Sequence, residues 1–131
     1  ELRKRGWYRD KYHRVGSFST SSGYEMMNQL LNDNGKQLPT FLFAENDAIA
    51  IGALRALQEA DIAVPDQISI VGFNDSKVAK YVYPPLSSIR VDTREMGRTG
   101  VSLLLDRIAY PRKISKKISL STEWIKRAST K

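Results

Sequence analysis

TFLFAENDAIAIGALRALQEADIAVPDQISIVGFND, residues 40–75, is the stretch that decides the fold. Thr40–Ala44 is an apolar run without alternation, the pattern of a strand covered on both faces. Asp47–Ala60 follows with helical spacing, opened by Asn46 or Asp47 as cap. Val64-Pro65-Asp66 breaks the chain before a second apolar run, Ile68–Phe73. Strand, helix of about four turns, strand: this is a βαβ unit, whose strands run parallel with a right-handed crossover. The helix is apolar most of the way round, with only Arg55, Gln58 and Glu59 clearly polar after its first residue. A helix lying on a sheet needs one apolar stripe. Its second side therefore calls for cover, from another subunit in preference to another part of the same chain.

On the N-terminal side, Leu2–Arg5 with Gly6 reads as the last turn of a helix and its stop. Val15–Phe18 reads as a short strand running into the serine-rich loop 19–23. Tyr24–Asn32 fits a helix with Tyr24, Met27, Leu30 and Leu31 on one face, closed by Asn34-Gly35. On the C-terminal side, Ser88–Val91 reads as a strand, and Asp92 with Glu95 makes a capping box for a helix to about Ala109. Met96, Val101, Leu104, Leu105 and Ile108 give that helix one apolar side. Lys116–Ser121 and Glu123–Arg127 alternate as edge strands do.

The chain has 131 residues, 41% of them hydrophobic, enough for one ordinary domain with a real core. It has no cysteine and a single histidine, His13, so disulfides, thiol chemistry and a histidine-based metal centre or triad are out of reach. His13 has no partner at ligand spacing and reads as a surface or loop residue. No metal site, cofactor or catalytic residue is expected. The glycines form neither a dinucleotide fingerprint nor a P-loop. No apolar run approaches the ~18 residues of a membrane span, and no signal peptide is visible. The net charge of +7 is concentrated at the ends. Residues 1–14 carry +4 and residues 107–131 carry +7, while residues 15–106 carry −4. A nucleic-acid domain should show its basic face on ordered elements, so this distribution argues against one. The terminal lysines read as a solvated face.

Ligands of open parallel sheets bind outside the carboxyl ends of the strands. Here those ends carry Phe18, Asn46-Asp47 and Asn74-Asp75. Amides donate and accept to adjacent hydroxyls, and an aromatic ring covers the apolar face of a sugar or base. The plainer alternative is that these Asn and Asp residues cap helices and make turns. Asp47 in particular reads as a cap before a ligand contact.

The run from Pro39 to Leu105, with AENDAIAIGALRALQ, VPDQISIVGFND and PPLSSIRVD in order, resembles the C-terminal effector-binding region of LacI/GalR-family bacterial transcriptional repressors. The ending Lys126-Arg127-Ala128-Ser129-Thr130 is similar to the family's usual finish, and the serine-rich GSFSTSSGY leans towards galactose and galactoside repressors. The resemblance implies an α/β fold, a Rossmann-like parallel sheet flanked by helices, as in one subdomain of a periplasmic-binding-protein-like fold. It implies that residues 1–131 are a partial effector-binding domain. In that reading residues 15–91 form most of the C-terminal subdomain, 92–122 would pack on an N-terminal subdomain, and 123–131 are the final strand and tail.

A helix-turn-helix is expected to be absent, so operator DNA would be reached only through an N-terminal domain not in this sequence. Phe18 matches the aromatic that packs on the effector, and Asn46 the asparagine that hydrogen-bonds it. Asn74 falls where many sugar-binding members carry aspartate. Ile51, Arg55, Val78, Tyr81 and Val82 match a homodimer interface. The implied function is the effector-binding and dimerisation part of a cytoplasmic, sugar-responsive repressor of a carbohydrate operon, with galactose or a galactoside-like sugar as effector. A transport sugar-binding protein is the alternative, and a Rossmann-like enzyme a more distant one.

Overall fold

The computed structural model describes residues 3–35, 37–111 and 114–131. In chain order it contains α1 (Thr20–Asn34), β1 (Phe41–Phe43), α2 (Asp47–Glu59), β2 (Ser69–Phe73), β3 (Ser87–Arg90), α3 (Thr93–Ala109) and β4 (Glu123–Ile125). Short 3-10 turns lie at Asp10–Tyr12 and Lys77–Lys80. The sheet order is β1-β2-β3-β4, with the first three strands parallel and β4 antiparallel to β3. The βαβ unit read from residues 40–75 is therefore present, with Leu42 opposite Ile70.

The core lies between one face of this sheet and the α1/α2 pair. Met27 and Leu30 of α1 join Ala50, Ala53, Leu54 and Leu57 of α2 over Ile70 and Leu86. The two helices cross where both carry glycine. A Cβ on Gly52 would stand 2.0 Å from the Thr20 carbonyl oxygen, and one on Gly23 would stand 2.2 Å from that of Ile49. Only backbone against backbone fits there. This contact corrects the expectation that a second subunit covers the other side of α2, since α1 supplies that cover. Ile51 is left half-buried and Arg55 exposed.

Three strand expectations change. Val15–Phe18 is not a strand: the Ser17 N–H donates to Ser22 Oγ at 3.0 Å, so this backbone is spent on the start of α1. The serines are cap and first turn rather than loop, with Ser19 accepting from the Ser22 N–H, and α1 consequently begins at Thr20. Lys116–Ser121 joins no ladder, and Lys116 instead pairs with Asp106 of α3 at 3.1 Å. β1 is covered on one face only, with Phe41 and Phe43 53% and 52% exposed, while Leu42 on the opposite face packs against the core formed by α1, α2 and the sheet. Phe73, Ile89 and Trp124 share the face of Phe43 through the strand register. The helix from Thr93 to Ala109 is as read, with the Glu95 N–H on Asp92 Oδ1 at 2.9 Å, and none of its residues is buried. Of the N-terminal helical turn, Arg3–Gly6 is a turn closed by Gly6 at φ 69°, and Leu2 lies outside the described residues. Lys113, one of the terminal lysines read as solvated, also lies outside them.

Candidate functional site

The carboxyl ends of β1 and β2 deliver their Asn-Asp pairs to one edge of the sheet. Asn46 is extended, and its Oδ1 accepts the Ile49 N–H at 2.8 Å, which makes it the N-cap of α2. The cap fixes the amide's orientation. Its oxygen is turned into the helix, and its Nδ2 group has no acceptor among the described residues. Cap and ligand contact are therefore compatible at this position: the oxygen does one and the NH2 group is free for the other.

Asp47 is not the cap. It is 3% exposed, and its carboxylate accepts from Ser88 Oγ at 2.6 Å and from the Ser76 N–H at 2.5 Å. Burial removes it from any direct ligand contact.

Asn74 follows β2 at φ 92°, and Asp75 at φ 49°, two successive non-glycine residues in left-handed conformations. Such residues cost roughly 1–3 kcal/mol each and persist only where their surroundings impose them. The Asn74 side chain is exposed and has no hydrogen bond among the described residues. Asp75 is committed elsewhere: one oxygen meets Arg127 at 2.6 Å and the other Arg90 at 2.8 Å, with its side chain 7% exposed. Burial pushes its carboxyl up, but the hydrogen bonds from Arg127 and Arg90, reinforced by their charges, outweigh that and hold it below the ordinary carboxylate range. Arg90 continues to Glu123 of β4 at 2.9 Å.

Phe18 is 68% exposed just before α1, next to a chain of hydroxyls running from Ser17 through Ser19 to Ser21 at 3.1 Å steps. The Gly23–Gly52 crossing seats this start of α1 on the first turns of α2, which Asn46 caps. The edge thus offers one oriented donor, one free amide, hydroxyls and an exposed ring. It suits a neutral polyhydroxylated ligand. Of the proposed interface residues, Val78 and Tyr81 are 54% and 78% exposed, whereas Val82 is partly buried against the core. Sequence reading singled out none of Ser88, Arg90 and Arg127. Their signal was weak, because a serine in a strand and arginines near a tail are common.

Two shallow hollows lie away from this edge, along α3 and residues 115–118. Among the described residues, no helix is long and apolar enough to cross a membrane, and no group of three His, Asp or Glu side chains is placed to hold a metal.

The periplasmic binding protein-like domain family matches residues 1–130. The chain is 47% identical over 128 residues to the HTH-type transcriptional regulator GalR of Streptococcus thermophilus, covering 98% of this chain and 38% of that protein. Among solved structures it is similar to a CelR–cellobiose complex, with TM-score 0.87 and 32% identity over 98% of this chain and 39% of that one. It is likewise similar to the Lac repressor bound to ONPG, with TM-score 0.86 and 31% identity over 97% of this chain and 38% of the other. The chain thus spans less than two-fifths of the length of these relatives.

Proposed function

The chain belongs to the periplasmic binding protein-like domain family, and from that premise we propose that it is the effector-binding and dimerisation part of a sugar-responsive transcriptional regulator of the LacI/GalR kind. Operator binding then belongs to a helix-turn-helix elsewhere in a longer protein. Residues 15–91 supply one wall of the effector cleft, 92–122 pack on a second subdomain, and 123–131 complete the sheet. The exposed apolar stripe of α3 supports that division, because a helix with no buried residue calls for a partner.

The observation that carries the ligand reading is the pair of amides at one sheet edge. Asn46 presents Nδ2 because its oxygen is held by the cap, Asn74 presents a free amide, and Phe18 stands exposed just before α1. The effector is a neutral sugar, galactose or a galactoside, a choice supported by the likeness to GalR. Dimerisation through Val78 and Tyr81, with Arg55 and Ile51 of α2, is supported by the exposure of the first two side chains.

Saturation-transfer NMR on the full chain tests the ligand reading. One wall of a cleft loses closure and water exclusion, so affinities for galactose or a methyl galactoside are expected in the millimolar range. Asn46→Ala and Asn74→Ala should each weaken binding by about five- to tenfold, read from the concentration dependence of the signal. Transfer to a purine base instead of the sugar, or a signal indifferent to both substitutions, would refute the assignment.

A further inference from the structure

Asp47 presents a problem that its place in the helix does not explain. A carboxylate in a first helical turn is stable in water, where it complements the dipole. This one is buried, and among the described residues no cation pairs with it. Burying a charge is costly unless hydrogen bonds replace its water. The space it occupies exists because β2 carries a glycine at mid-strand: a Cβ on Gly72 would stand 2.2 Å from Asp47 Oδ1.

What the carboxylate holds is the Asn74 turn. Three successive backbone N–H groups of that turn are each tied to a different group. Asn74 donates to the Ile89 carbonyl at 2.8 Å, Asp75 to Ser88 Oγ at 3.0 Å, and Ser76 to Asp47 Oδ2 at 2.5 Å. Ser88 has one proton and gives it to Asp47 Oδ1 at 2.6 Å, so its oxygen is left to accept from Asp75. From the other side, the Asp75 carboxylate ties the turn to Arg127 and Arg90. Asn46 is the residue next to Asp47 and Asn74 the residue next to Asp75. The bridge Asp47–Ser88–Asp75 therefore joins the backbone of both candidate ligand amides.

We propose that Asp47, Ser88 and Asp75 are positioning residues for the effector site: they hold the left-handed Asn74 turn against the start of α2, so that Asn46 and Asn74 meet one ligand in a fixed relative geometry. The inference rests on the sugar-site reading given above. None of the three touches the ligand. Their effect is on whether both amides reach it together.

The test uses Ser88→Ala in the full chain, which removes the bridge and leaves a small apolar side chain in the strand. Arg90→Gln is the second variant, on an exposed side chain, should the first not fold. Without ligand, hydrogen exchange of the Asp75 and Ser76 amides should quicken by about tenfold or more in Ser88→Ala, the loss of roughly one hydrogen bond's worth of protection. With galactose or a methyl galactoside, affinity should fall by about tenfold. Adding Asn74→Ala to Ser88→Ala should then cost less than Asn74→Ala costs alone, because the amide is already misplaced. Unchanged affinity in a folded variant whose parent binds sugar, or strict additivity with Asn74→Ala, overturns the proposal. If the parent binds no sugar, the site reading has failed, and the exchange measurement decides the rest. Parent-like protection of Asp75 and Ser76 overturns the holding role, and accelerated exchange sustains it.

Discussion

Asp75 shows how one side chain ties distant parts of the sequence together. Its carboxylate joins a loop after β2, the last residue of β3 and Arg127 in the tail. Because the folded carboxyl sits below its ordinary value, the stability it contributes is present above the unfolded pKa of about 4 and is lost as pH falls through the lower folded value. Asp75→Asn should flatten that part of the acid-unfolding curve. Asp75→Ala should cost roughly 3 kcal/mol at neutral pH, since it strands the half-buried Arg127 guanidinium. Urea unfolding between pH 3 and 7 reads both effects, and an unchanged acid limb in Asp75→Asn would count against the assignment. Glu59 is held low in the same sense, by hydrogen bonds from Tyr24 and then Arg55, but at an exposed position.

At this scale the sequence was half legible. Asn46 and Asn74 stood out because an amide at a strand end is a recognisable pattern. Asp47 read as a cap, because nothing local distinguishes a solvated first-turn carboxylate from one driven under the sheet. The difference is made by Gly72 and Ser88, which lie 25 and 41 residues further on.

The elements were more legible than their surroundings. Helix spacing located α2 and α3, and apolar runs located β1 and β2, since those signals are local. The serine cluster was read as loop, although a serine cap with polar first-turn residues is also how a helix starts. The partner of α2 was misjudged because a helix's apolar sides say that cover is needed and not who provides it. The glycines carried that information. Gly23 and Gly52 sit where α1 and α2 backbones touch, whereas Gly97 and Gly100 in α3 have nothing within 4 Å of a built Cβ. Gly52→Ala should therefore push the helices apart and cost about 1–3 kcal/mol. Gly97→Ala and Gly100→Ala should each stabilise by about 0.5–1 kcal/mol through helix propensity alone. Thermal unfolding of the three variants separates the cases, and an equal response would contradict the packing described here.

For the whole molecule, the layout is a sheet with the α1/α2 layer on one face and β1 bare on the other, and a helix α3 whose Met96, Val101, Leu104, Leu105 and Ile108 are all more than half exposed. Beside the polar edge, the buried carboxylates of Asp47 and Asp75 are taken up by Ser88, Arg90 and Arg127, while Glu45 next to Asn46 is exposed. Dimerisation is expected through the Val78–Tyr81 surface. Light scattering at tens of micromolar should give a dimer, and Tyr81→Asp should give a monomer. A dimer indifferent to Tyr81→Asp but lost in Leu104→Lys would move the interface to α3. The βαβ unit and the sheet edge that carries Asn46 and Asn74 could be anticipated from residues 40–75, while the bare face of β1 could not, because a run such as Phe41-Leu42-Phe43 reads the same in either environment.

The most direct test of the account is an NMR titration of the labelled full chain with galactose or a methyl galactoside, following backbone and side-chain amides. The expected result is a set of shifts centred on the Asn46 and Asn74 side-chain amides and on Ser17–Ser19, with Nδ2 of Asn46 among the largest. Shifts centred on α3 and residues 115–118, or none at saturating sugar, would contradict it.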